Sequence, residues 1–313
     1  MLAYVVRRIL ATIPVMLVVA FVVFSMLMLA PGDPAAVIAG DQATPQDVER
    51  IRQALGLDRP FFIQFADFLW RLVQLDLGTS IFTNLPVTHM IAQRIEPTLA
   101  LMVLTIVLAV SVAVPLGVLA AWKAGSWIDR GVMLFAVVGF SVPVFVVSYL
   151  LAYFVALEWE LLPVQGYTPL SRGFLPFLEN LILPAIALGT VYIALIARIT
   201  RATMLEVLAQ DFVRTAKAKG LGTRPILFLH ALKNAAVPIS TVVGIGIALL
   251  IGGAVVTESV FAIPGLGRLT VDAILRRDYP VIQGVVLLFS FVYVLINLMI
   301  DLLYTLFDPR IRY

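Results

Sequence analysis

Long uncharged apolar runs alternate with polar stretches along this chain, and the runs set its architecture. The first extends from Ile9 to Ala30, directly behind Arg7 and Arg8. Others cover about 97–122, 131–157, 181–197, 235–256 and 281–300. A helix rises 1.5 Å per residue, so a run of about 20 residues crosses a hydrocarbon layer of roughly 30 Å. Six runs predict an all-α integral membrane protein with six transmembrane helices, in one membrane domain spanning residues 1–313. The run at 181–197 is short and is expected to continue as helix past the membrane face, through Arg198 and Arg201.

The charged start followed by an apolar run has the look of a secretory signal, whose apolar stretch is only about 7–15 residues. Here the run has 22 residues and Pro31 follows it directly, so an uncleaved first span is expected. Six spans put both termini on one side, and lysine and arginine say which side. With both ends cytoplasmic, the inner segments hold 13 of the 22 basic residues: Arg7, Arg8, Lys123, Arg130, Arg198, Arg201, Arg214, Lys217, Lys219, Arg224, Lys233, Arg310 and Arg312. Five of the nine outer ones lie in the long first loop, where the bias counts weakly.

Two polar stretches stand out. Residues 31–96 form an extracytoplasmic insertion with a marked helix: Thr44 caps it, Pro45 opens it, Asp47 completes a capping box and Gly56 ends it. A second amphipathic segment, about Phe61 to Leu75, places Phe65, Phe68, Leu69 and Leu72 on one face. These aromatics read as resting on the membrane surface or on neighbouring spans, with partner docking as the alternative. The other stretch, 204–238, is a basic cytoplasmic loop. Within it DFVRTAKAKG reads as a short helix capped by Asp211 and stopped by Gly220, a residue tolerant of positive φ. A second helix is expected to begin with Thr223 as N-cap and Pro225 in its first turn.

Composition adds exclusions. The chain is 61% hydrophobic and 13% charged, with a mean hydropathy of +1.03, which rules out a soluble globular domain. It has no cysteine, hence no disulfide framework and no thiolate metal site. His89 and His230 are too far apart to suggest a metal pair, and no catalytic or metal residue is assigned. A pI near 9.3 hints at nucleic acid, but the bases flank apolar spans, as topology signals do.

No Asp, Glu, Lys, Arg or His lies inside the six runs; Asp301 comes at the inner edge of the last. An ion-coupled secondary transporter, the competing class, usually carries ionisable groups at membrane depth. The chain also lacks the G-x-x-x-x-G-K-[ST] phosphate loop, so ATP, if used, is hydrolysed by another polypeptide. Pro115, Pro143, Pro184 and Pro238 read as static kinks, with moving elements as the alternative. The glycines of the fifth span (Gly244, Gly246, Gly252, Gly253) predict a close helix interface, or else a path lining. Neutral groups such as Ser141, Ser148, Thr190 and Thr241 are expected to find partners between helices.

The loop motif DFVRTAKAKGL, followed after a spacer by HALKNAAVP, resembles the conserved cytoplasmic loop of bacterial ABC importer permeases. Arg214-Thr215-Ala216 stand where the general consensus has Glu-Ala-Ala, as is usual in the dipeptide/oligopeptide/nickel branch. ATPQDVERIRQALGLDRP, DLGTS, IPGLGRLTVDAILRRDYP and DPRIR are also similar to that branch, so the likeness runs nearly end to end. It implies the type I importer permease fold in a bacterial plasma (inner) membrane. The implied partners are a second homologous permease, two ATPase subunits that bind ATP and Mg, and an external solute-binding protein. The chain itself would hold no cofactor. It further implies that Asp211, Arg214, Thr215, Ala216, Lys217, Ala218, Lys219, Gly220 and Leu221 form the ATPase-coupling loop. The branch carries dipeptides, longer peptides, nickel chelates, opines and oligosaccharides. A wall without fixed charge suits peptides better than a bare metal ion.

Overall fold

The computed structural model describes residues 2–29, 35–36, 44–54 and 56–307, and every regular element among them is helical. The PGDP turn at 31–34, the side chain of Asp47 and the DPRIRY tail at 308–313 lie outside the described residues. In chain order the helices are α1 (Leu2–Leu29), α2 (Pro45–Ala54), α3 (Phe61–Val73), α4 (Val87–Trp122), α5 (Trp127–Ser141) and α6 (Val144–Leu151). Then follow α7 (Phe174–Leu208), α8 (Asp211–Ala218), α9 (Leu232–Val260), α10 (Leu266–Arg276) and α11 (Tyr279–Phe307). Wide π-type turns at Ala152–Glu158 and Pro225–Ala231 extend α6 and lead into α9.

Among the described residues five helices are long and apolar enough to cross a membrane. The expected third span is broken instead of kinked. α5 and the segment from Val144 to Glu158 meet at 102°, and only if that pair counts as one does the number reach six. The cause is local. Pro143 has no N–H to continue the ladder, and it pushes Val142 into an extended conformation, φ −82° and ψ 123°. Pro115, Pro184 and Pro238, by contrast, stay inside continuous helices.

The helices gather into two compact units. One comprises residues 1–94 and 269–295. In it α3 lays Phe61, Phe65 and Phe68 against Phe24 of α1, with ring centroids 5.2–5.5 Å apart. The amphipathic face of α3 is thus spent on a neighbouring span, as expected. The loop before α4 is tied to the start of α11 by Asp278, which accepts from the Ser80 hydroxyl at 2.5 Å and the Ile81 N–H at 3.2 Å.

The second unit, 95–268 with 296–313, is built round α7. Leu181, Leu188, Ile193, Ile196 and Ala197 of that helix are buried in a core shared with Leu101, Ala109, Leu250 and Ala254. α7 does run past its apolar run, unbroken to Leu208. The hydroxyls of Ser141, Ser148, Thr190 and Thr241 are satisfied by the carbonyl four residues back in their own helices. They do not bridge helices. Such back-bonding lets a polar residue sit in an apolar bundle without a partner on another helix.

Candidate functional site: a basic ridge at the end of α7

The ridge rises from the polar end of α7. After the turn at Ala209-Gln210, α8 turns its inner residues, Val213 and Ala216, onto Ile226 and Leu208. The next layer, Met204, Leu227, Ala231 and Ala235, packs on Val118 and Ala121 of α4. Only 8 residues long, α8 would not persist alone. These apolar contacts hold it.

The outer face carries nearly all the residues expected in the coupling loop. Asp211, Arg214, Thr215, Lys217, Ala218, Lys219, Gly220 and Leu221 are exposed, while Ala216 faces inward as a spacer. Phe212 adds an apolar tip, 41% exposed. Asp211 does not cap the helix. The N-cap position falls to Gln210, which makes no side-chain cap bond, and the Asp211 carboxylate instead accepts from Arg214 at 3.3 Å. Thr223 is likewise displaced by one: the Ile226 N–H reaches the Gly222 carbonyl at 3.3 Å, so Thr223 is already helical. Gly220 stands as expected, at φ +81°, a left-handed conformation costly for any residue with a Cβ.

Arg201 was expected as a plain topology charge; it is a structural ligand. Its guanidinium grips Asp129 with two nitrogens, Nε on Oδ1 and Nη2 on Oδ2 at 2.7 Å. Asp129 Oδ2 also accepts from the Gly125 N–H at 2.9 Å. This forked pair fastens the start of α5 to α7. No sequence motif announces it.

A buried carboxylate was missed for another reason. α9 continues beyond the expected end of its apolar run and buries Glu258 completely in its last turn. Oε1 accepts from the Thr98 hydroxyl at 2.6 Å, and Oε2 from the Arg268 N–H at 3.0 Å. Thr98 in turn accepts from the Leu266 N–H at 2.8 Å. Together they cap the first turn of α10, a favourable place for negative charge. Gly265 makes room, since a Cβ there would overlap the carboxylate. Nearby, burial and the Glu96 carboxylate, to which Tyr167 donates at 3.0 Å, hold that phenol above its ordinary range.

Among the described residues no group of three or more His, Cys, Asp or Glu is placed to hold a metal ion. Comparison with known proteins then decides the family. The model of the family described as "Binding-protein-dependent transport system inner membrane component" matches residues 113–313, and that of its N-terminal region matches residues 1–102. The chain belongs to this family. It is a multi-pass inner-membrane permease component with the type I fold. It is 54% identical over 310 residues to a probable peptide ABC transporter permease protein of Sinorhizobium fredii, covering 99% of each chain. It is 47% identical to a putative peptide transport system permease protein of Brucella abortus, each chain covered in full. To the dipeptide transport system permease protein DppB of Escherichia coli it is 38% identical over 337 residues, covering 100% of this permease and 99% of that one.

Proposed function

We propose that this permease is the membrane subunit of an ATP-driven importer of di- and oligopeptides. The observation that carries the substrate class is full-length likeness to permeases named for peptides and dipeptides. A second homologous permease completes the membrane channel, two ATPase subunits bind ATP and Mg inside, and a solute-binding protein delivers the substrate outside. Both termini are cytoplasmic by the distribution of basic residues.

The α8 ridge is the ATPase-coupling surface. Its inner face is consumed by the fold, and its outer face presents Arg214, Lys217 and Lys219 with little internal pairing. On the opposite side, the segments 31–96 and 258–280 meet the solute-binding protein. Their length and capped, turn-rich order exceed what a connector needs. Cross-linkers at Asp58 or Arg268 should capture that protein from outside the cell; capture only from the cytoplasm would invert the topology.

The experiment for the substrate is uptake of labelled dipeptides and of nickel by cells with and without this chain. Deletion should abolish dipeptide uptake. Loss of nickel accumulation alone, with peptide uptake intact, would overturn the peptide reading.

A further inference from the structure

The break between α5 and α6 opens a cavity of about 380 Å³ within the second unit, inside the common size range of ligand sites. Phe140, Ser141 and Val144 line it from the break, Leu188 and Tyr192 from α7, and Gly253 from α9. Two observations separate it from an ordinary packing defect.

The first is Tyr192, only 6% exposed, whose hydroxyl has no hydrogen-bond partner among the described residues. Two glycines of α9 hold the side chain. A Cβ at Gly246 would touch the ring edge at 3.3 Å, and one at Gly253 would lie 3.7 Å from the hydroxyl oxygen. Gly253 lines the cavity and Gly246 does not, so the hydroxyl end is the one that reaches it. The ring is enclosed by its neighbours, but the hydroxyl oxygen keeps accessible surface, so a ligand in the cavity can reach it. Here the cavity is where a partner would sit.

The second is the break itself. The Val142 N–H reaches the Val138 carbonyl at 3.1 Å, but Pro143 has no N–H for the carbonyl of Gly139. The last turn of α5 therefore keeps free acceptors. In the first turn of α6 the Val146 N–H bonds the Pro143 carbonyl at 3.0 Å and no side chain caps the helix, which leaves the Val144 and Phe145 N–H groups without a partner among the described residues. Discontinuous helices in transporters put such backbone ends to use at substrate sites.

We infer that this cavity is a station for the peptide in transit, where the Tyr192 hydroxyl, the Val142 carbonyl and the Val144 N–H bond its main-chain amide. A wall with hydrogen-bonding groups but no charged lining residue can hold the amide of a peptide, though not its charged termini, which must find their partners outside the cavity. An acyl chain would leave the hydroxyl unpaired. The inference rests on the peptide-import reading above.

The test uses the complete transporter in proteoliposomes with its solute-binding protein. A tritiated dipeptide reports uptake, and a dipeptide bearing a photo-leucine reports contact. Tyr192→Phe, which removes only the hydroxyl, should slow uptake about three- to tenfold, the effect of one lost hydrogen bond. Tyr149→Phe on exposed α6 should leave it unchanged. In the parent, photo-adducts should map to residues 140–144 or 188–192 and disappear under excess unlabelled dipeptide. Uptake unaltered in Tyr192→Phe, or adducts only elsewhere, would overturn the station while leaving peptide import standing. If Tyr192→Phe fails to assemble, the adduct map of the parent decides. Labelling of these residues by a photoreactive lipid, undiminished by dipeptide, would overturn it in favour of a lipid. A parent that imports no dipeptide would refute the reading and the station together.

Discussion

Two polar interruptions of the second unit handle charge in opposite ways. At the junction of α9 and α10, Glu258 is wholly buried and both its oxygens are occupied, by Thr98 and the Arg268 N–H. On α8, Asp211 and Arg214 make one contact at 3.3 Å with side chains 92% and 75% exposed. A buried, fully bonded carboxyl group holds a fold in register, because removing it strands its partners. An exposed pair contributes little to stability. That contrast is what the proposed docking role of the ridge would require.

That contrast breaks most readily at the latch. Glu258→Ala strands the Thr98 hydroxyl and the Arg268 N–H, and should cost about 2–4 kcal/mol, read as a lower Tm in detergent. Glu258→Gln keeps the shape and an acceptor and should recover part of the loss. Gly265→Ala, whose Cβ would overlap the carboxylate, should move Tm in the same direction. An unchanged Tm in Glu258→Ala would erase the distinction. Next in size is the forked pair: Asp129→Ala should cost about 1–3 kcal/mol by the same measurement, since Arg201 and the Gly125 N–H lose their acceptor.

The ridge should respond the other way round. Gly220→Val forces a β-branched residue to φ +81°. It should deform the turn and lower Tm by less than Glu258→Ala does, because the exposed turn can relax. Dipeptide uptake and transport-stimulated ATP hydrolysis should fall together by about tenfold, as when an interface anchor is lost. Both staying normal would remove the ridge from the coupling surface. Asp211→Ala should have the smallest effect, within about 0.5 kcal/mol of parent stability by thermal melt. A larger shift would give the exposed pair the structural role assigned here to the buried ones.

The same physics explains what was legible in the sequence. Apolar runs, Gly220 and the basic loop are local signals: a period, a permitted φ and a charge cluster read without knowing the neighbours. α3 was legible too, because its aromatic spacing fixes one face whatever covers it. Glu258 was not, since its meaning depends on Thr98, 160 residues away. Asp129 and Arg201, 72 apart, looked like flanking charges until the chain folded back. Pro143 showed as a kink, but the size of the break, 102°, follows from the extended conformation of Val142, which a proline in an apolar run favours without fixing. The caps shifted by a residue because packing of Val213 and Ile226 sets where α8 and the next helix begin.

The central claim is that the exposed face of α8 docks the ATPase, and the absence of cysteine makes it directly measurable. Ala218→Cys would place a single thiol on the exposed outer face. Maleimide labelling of that thiol should be fast in the permease pair alone and strongly protected when the ATPase subunits are bound. Equal labelling rates in the two states, in a complex that still transports, would contradict the account.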